Sequence, residues 1–331
     1  MAIFSGLILC CKTLDHLIFR TFAALNAITV MNEKTRWLIV LISTVLISLS
    51  GCNQKVSDLS STSQEKRTEL QEYFSYKADQ SILISGHRGG REPGFPENSL
   101  EGFQNVLNQT TAFFEIDPRL TKDSVIVLMH DDTLERTTNA SGKLKDFTWE
   151  ELQSVRLKDS DGNVTTCKIP TLEEVILWSK EKTVVNLDKK DVPMEMIVDL
   201  IRKCEAEDYI MLTVHTGAQA RYYYDRFPNI MLSAFARNDK EYEDLAIAGV
   251  PWENMIAYVG PSINESNRHI VEKLRKNGVR CMISVAPTHD RKTTSKERAE
   301  LYLQEINLQP DIIESDYPTE VDKVLKRQGV Q

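Results

Sequence analysis

Apolar positions along the chain fall into two alternating rhythms. Short runs of strand length at 81–85, 183–187, 209–214, 230–233, 255–258, 280–284 and 312–315 alternate with stretches at the three- and four-residue spacing of a helix. Two further runs, one carrying Glu115 and Asp117 and one ending at His130, also read as strands. The helical stretches are 100–107, one beginning at Leu172, then 194–206, 218–227, 240–248, 265–277, 295–303 and 318–326. In the first of these Leu100, Phe103, Val106 and Leu107 share a face, and Asn98 or Ser99 is a natural N-cap. Residues 132–171 break the rhythm. The turn formers Asn139, Gly142, Asp159, Asp161 and Gly162 surround one short helix at 148–155, which reads as an insertion or a long loop. About eight strand-then-helix units within ~250 residues predict an α/β fold, a TIM (β/α)8 barrel with a loop insertion after the second strand region. An open doubly wound sheet is the alternative, but no dinucleotide-binding glycine pattern follows the first strand.

The N-terminal region follows a different pattern. From Met31, Lys34 and Arg36 precede the apolar run Trp37–Leu49, which is shorter than the ~20 residues a membrane-spanning helix needs. It ends in Leu49-Ser50-Gly51-Cys52, which looks like a bacterial lipobox. That resemblance implies a signal peptide over 31–51 and a mature lipoprotein. Its first residue, Cys52, would carry the lipid, in the cell envelope as a periplasmic or outer-membrane protein. The competing reading is an uncleaved membrane anchor. Residues 1–30 then read as a mis-called upstream extension, with the true start at Met31. The polar stretch that follows predicts a flexible tether over 52–80, leaving 81–331 as the barrel domain.

Composition narrows the picture further. With 331 residues, 41% of them hydrophobic and 27% charged, the chain is of globular type. A net charge of −8 provides no basic footprint for nucleic acid. Of the 6 cysteines, Cys10, Cys11 and Cys52 lie in the leader. Cys167, Cys204 and Cys281 are scattered, with neither zinc spacing nor a disulfide framework, although one disulfide is compatible with them.

The candidate chemistry centres on Phe113–Thr138. Glu115 and Asp117 are two apart on a predicted strand, so their carboxylates leave the same face. Such a pair repels itself unless a cation sits between, and hard oxygen ligands suit Ca²⁺ or Mg²⁺. The apolar run behind them ends in the titratable pair His130-Asp131. Taken singly, these features read first as a pair of solvated acids and a satisfied core histidine. The barrel changes that reading. His87, Glu115, Asp117, His130, Asp188, Lys190, His215 and Asp316 all fall at or just past predicted strand C-terminal ends, the rim where barrel active sites are built.

The order HRGG, PENSLEGF, EIDPRLTKD, VLMHDDTLERTT, IPTLEE, NLDKK and ESDYP resembles the glycerophosphodiester phosphodiesterases over about Ile84–Pro318. The resemblance implies a metal-dependent hydrolase that cleaves deacylated phospholipids to sn-glycerol 3-phosphate and an alcohol. By resemblance, His87 and His130 are the general acid and base. Glu115, Asp117 and Asp188 match the ligands of one divalent cation, Ca²⁺ or Mg²⁺. Arg88 and Lys190 match the phosphate-binding cations. Asp316 would hold a catalytic histidine from behind or cap the last helix, Glu97 would brace the His87 loop, and His215 is either a rim contact or a plain turn residue. The alternatives are a phosphodiesterase acting on lysophospholipid or phosphoinositol headgroups, and a non-catalytic diester-binding barrel. The chain departs from the family in three places. Asp188 stands where glutamate is usual, Pro118 stands where an aliphatic residue is common, and no tryptophan lies near 282–285.

Overall fold

Strict alternation within each strand builds the barrel. In the computed structural model, which describes residues 68–329, eight strands close in the order β1, β10, β9, β8, β7, β6, β5, β2, all parallel. They are β1 (Leu83–Gly86), β2 (Phe113–Ile116), β5 (Val185–Leu187), β6 (Ile210–Val214), β7 (Met231–Phe235), β8 (Met255–Gly260), β9 (Cys281–Ser284) and β10 (Ile312–Ser315). Outward residues such as Phe114, Leu212, Ile283 and Ile313 join one large core with the surrounding helices. Those helices include α2 (Leu100–Leu107), α4 (Leu172–Ser179), α5 (Met194–Cys204), α6 (Gly217–Tyr224), α7 (Asp239–Ala248), α8 (Arg268–Lys276), α9 (Ser295–Asn307) and α10 (Pro318–Gln328).

Inward residues are layered. Phe113, Met211, Met231, Ile256, Met282 and Ile312 make an apolar plug at the N-terminal end. Two residues further along each strand the side chains turn polar: Ser85, Glu115, Asn186, Thr213, Ser233, Tyr258, Ser284 and Glu314. Two residues further again come His87, Asp117, Asp188 and Asp316. A folded barrel has no need of polar residues in its middle layer, so the change from apolar to polar marks where packing gives way to a site.

The structure revises two expectations. Residues 68–80, assigned to the tether, contain α1 (Glu69–Phe74), whose Phe74 meets Phe113 edge to face at 5.3 Å and closes the plug from below. The run ending at His130 is not a barrel strand. β3 (Pro118–Leu120) and β4 (Ile126–Leu128) pair antiparallel with each other, outside the barrel. Pro118 explains the exit, since proline cannot donate to a central ladder and sits at the first position of its new strand. The insertion therefore begins near 118 and is more than a loop. Val127, Met129, Leu134, Leu144, Leu152 and Leu157 give it a small core of its own, and α3 (Trp149–Leu152) carries a Thr148/Glu151 capping box. The upstream extension, signal peptide and Cys52 lie outside the described residues. Among the described residues no helix is long and apolar enough to cross a membrane.

Candidate active site

Backbone geometry comes first at this site. After β1 the chain tightens into a turn at His87–Gly89, where Arg88 takes a left-handed φ of 53° and Gly89 one of 85°. A Cβ on Gly89 would lie 2.2 Å from the Phe103 ring, so only glycine lets the turn pack on α2. The turn presents His87 to the cavity and aims the Arg88 backbone N–H at Glu115 Oε2, 3.0 Å away.

His87 is clamped by carboxylates. Its Nδ1 lies 2.6 Å from Asp316 Oδ1 and its Nε2 lies 4.0 Å from Glu115 Oε2. Burial alone would lower its pKa, but the Asp316 hydrogen bond and the charges of Glu115 and Glu314 outweigh burial and raise it to about 10. Asp316 is itself held. It accepts from Arg91 Nη1 at 3.3 Å, and its backbone N–H donates to buried Asp290 at 2.6 Å. Asp290 also accepts from Ser315 Oγ at 2.9 Å and from the Tyr302 hydroxyl.

His130 reaches the rim from the insertion. Its Nδ1 is 2.7 Å from Asp131, and Arg136 forks across both Asp131 and Glu97 at 2.6–3.0 Å. Burial of the ring outweighs the pull of Asp117 and Asp131, so its pKa is lowered from 6.5. The two imidazoles are thus set on opposite sides of neutrality.

Glu115, Asp117 and Asp188 offer carboxylate oxygens that all lie within 4.8 Å of one another. Asp117 is fully buried. Its Oδ2 accepts from Asn98 Nδ2 at 2.7 Å, and its backbone N–H donates to Asn98 Oδ1 at 3.1 Å. Its Oδ1 has no hydrogen-bond partner in good geometry, although the Lys190 ammonium lies 3.0 Å away. Lys190 also pairs with Asp188 at 2.6 Å. Burial and the neighbouring Asp117 charge push the Glu115 carboxyl well up, a strain that a cation among the three would relieve. Three hard oxygen donors, one of them a buried carboxylate oxygen faced only by Lys190, fit a divalent cation.

The predicted residues converge unevenly. His87, Arg88, Glu115, Asp188 and Asp316 line one cavity of about 490 Å³ at the C-terminal mouth. Asp117 and Lys190 join them through ion pairs. Glu97 binds Arg88 at 3.2 Å and so braces the turn. His215 is exposed and does not line the cavity itself, but packs its ring at 4.3 Å on Phe235, which does. The sequence reading passed over Arg136, Asp290 and Glu314. Arg136 had a visible signal, lying in the block that follows His130, and Glu314 shares its strand face with Asp316. Asp290 had none, because only the fold brings its loop to β10.

A closed parallel barrel with two imidazoles and a carboxylate triad at its C-terminal rim is a hydrolase architecture. The chain belongs to the glycerophosphoryl diester phosphodiesterase family, whose sequence pattern matches residues 87–283. A glycerophosphodiester phosphodiesterase of Bacillus altitudinis is 28% identical over 180 residues, covering 51% of this chain and 72% of that protein. The crystal structure of a glycerophosphoryl diester phosphodiesterase from Parabacteroides distasonis is 53% identical, with a TM-score of 0.77 over 78% of this chain and 91% of its own. An Oleispira antarctica phosphodiesterase, solved with its product sn-glycerol-3-phosphate, shares the fold at 20% identity and a TM-score of 0.53, covering 74% of this chain and 97% of its own. The protein is an enzyme that hydrolyses glycerophosphodiesters.

Proposed function

We propose that the enzyme cleaves glycerophosphodiesters to sn-glycerol 3-phosphate and an alcohol, with His130 as general base, His87 as general acid and one divalent cation, Ca²⁺ or Mg²⁺, on Glu115, Asp117 and Asp188. The observation that carries this reading is the opposed electrostatic setting of the two imidazoles, each of which feels a carboxylate of the triad. A base must be unprotonated and an acid protonated at the same pH, and the His130 and His87 environments favour those states. His130 would take the proton from the attacking hydroxyl, and His87 would give one to the leaving alkoxide. Arg88, whose buried Nε has no hydrogen-bond partner, would bind the non-bridging phosphoryl oxygens. Lys190 would hold Asp117 and Asp188 in place and add positive charge beside the phosphate. The cation, when bound, supplies Lewis-acid polarisation of a phosphoryl oxygen.

The test is sn-glycerol 3-phosphate release from glycerophosphoethanolamine, followed against pH. Because the pKa of His130 is lowered, kcat/KM should rise through a point below 6.5 and then level off. On the alkaline side the rate should fall as His87 loses its proton, between 6.5 and about 10, since a cation on the triad offsets part of the Glu115 contribution. His130→Gln should lower the rate by about 10²-fold or more and erase the acid limb. An acid limb that persists unchanged in that variant would remove His130 from the base role.

The Leu49–Cys52 sequence supports a further proposal, that Cys52 carries a lipid and holds the enzyme at the bacterial envelope. Mass spectrometry of the membrane fraction of expressing cells should find a chain that begins at a diacylglycerol-modified Cys52, and an unmodified Cys52 there would count against lipidation.

A further inference from the structure

We propose that the cavity wall built by β6–β10 reads the alcohol arm of the substrate, and that Glu314 selects an arm ending in a primary ammonium. This rests on the diester-hydrolase reading above and specifies the substrate within it. Glu314 occupies the polar middle layer, one layer below His87 and Asp316, and is 7% exposed. It lines the cavity, yet neither the triad nor either histidine hydrogen-bonds to it.

Its hydrogen-bond partners are neutral. Ser85 Oγ donates to its Oε2 at 3.2 Å, and Ser284 also bonds to it. Among the described residues no cation forms a salt bridge with Glu314, whereas buried Glu97 has Arg88 and Arg136, and buried Asp316 has His87 and Arg91. Asp290, also without a cation, has three donors on its two oxygens. Two serine hydroxyls leave Glu314 with free acceptor capacity facing the cavity. The positive charge that Glu314 feels is that of His87, which Asp316 already pairs, so a cationic ligand would complete the buried carboxylate.

The surroundings choose among cations. Thr213 and Ser233 present hydroxyl acceptors on the same wall, and Tyr258 adds an aromatic ring beside them. A primary ammonium has three N–H donors for such a set, while a trimethylammonium has none. Arg237 shares the cavity, but its charge is taken up by Glu241 at 2.5 and 3.1 Å. Burial raises the Glu314 carboxyl, and an incoming ammonium would favour its charged form.

The experiment uses the full chain and Glu314→Gln, with kcat/KM measured for glycerophosphoethanolamine, glycerophosphocholine and glycerophosphoglycerol. The wild type should prefer the ethanolamine ester. In the variant the ethanolamine-to-glycerol ratio of kcat/KM should fall by about 10²-fold, the scale of breaking a buried charge pair. An unchanged ratio, or a wild type that treats the three esters alike, would overturn the ammonium assignment and leave the hydrolase reading standing. Equal loss on all three esters would place Glu314 on the shared glycerol arm and overturn it as well. A folded wild type inactive on every ester would instead sink the hydrolase reading on which this one rests.

Discussion

His87→Ala should lower kcat on glycerophosphoethanolamine by about 10²–10⁴-fold while leaving KM within a few-fold, because a general acid acts in the transition state. Ethanolamine leaves as a strongly basic alkoxide, so the missing proton should be felt fully. A nitrophenyl diester of glycerol phosphate releases a stable phenolate that needs no proton. The same variant should therefore lose far less on that substrate. The reason lies in the way His87 is held. Asp316 fixes Nδ1 at 2.6 Å and leaves Nε2 toward the cavity, 4.0 Å from Glu115. Asp316 keeps Arg91 when the ring is removed, so the variant should still fold, which circular dichroism and thermal melting would verify. Equal loss on the two substrates would assign His87 to binding or orientation and exclude it as the acid.

Most of the fold could be read in the sequence because alternation of period two and helical spacing come from local geometry, which needs no tertiary information. The barrel followed from the repetition of units. The placement of His130 did not follow. The run 126–130 has strand character wherever it lies, and only its partner decides whether it enters the barrel. Pro118 was the local clue, since it ends barrel pairing directly after Ile116. The tether boundary failed for a similar reason. Glu69–Phe74 is short and half polar, and it becomes a helix through the Thr68/Gln71 capping box and the burial of Phe74 against Phe113. At the site, the family blocks brought out distant partners such as His87 and Asp316, while Arg136 and Asp290, which meet Glu97 and Asp316 across long separations, were not found. Asp290 and Asp316 are 26 residues apart. Glu97 and Arg136 are separated by 39. No periodicity links such pairs.

The carboxylate triad should produce the other large effect. Asp117→Asn is expected to abolish chelator-sensitive turnover, lowering kcat by about 10³-fold, since a Lewis-acid cation contributes several kcal/mol to a phosphoryl transition state. Asparagine keeps the volume and can keep a hydrogen bond with Asn98, so packing is spared. It removes a charge at the point where two other carboxylates are already within 4.8 Å, and it halves what Lys190 holds. Binding offers an independent readout. Saturating Ca²⁺ or Mg²⁺ should raise the melting temperature of the wild type, by the logic that a ligand of the folded state stabilises it, and should leave Asp117→Asn unmoved. Asp188→Glu belongs beside these measurements. Aspartate here is one methylene shorter than the glutamate usual in the family, and it is already drawn to Lys190 at 2.6 Å. If the triad binds a cation directly through Asp188, the longer side chain should change metal affinity in the melting assay and the metal concentration for half-maximal rate in parallel. Full activity of the wild type after exhaustive chelation, with no melting shift on adding either ion, would leave Lys190 as the natural occupant of the triad and end the case for a metal.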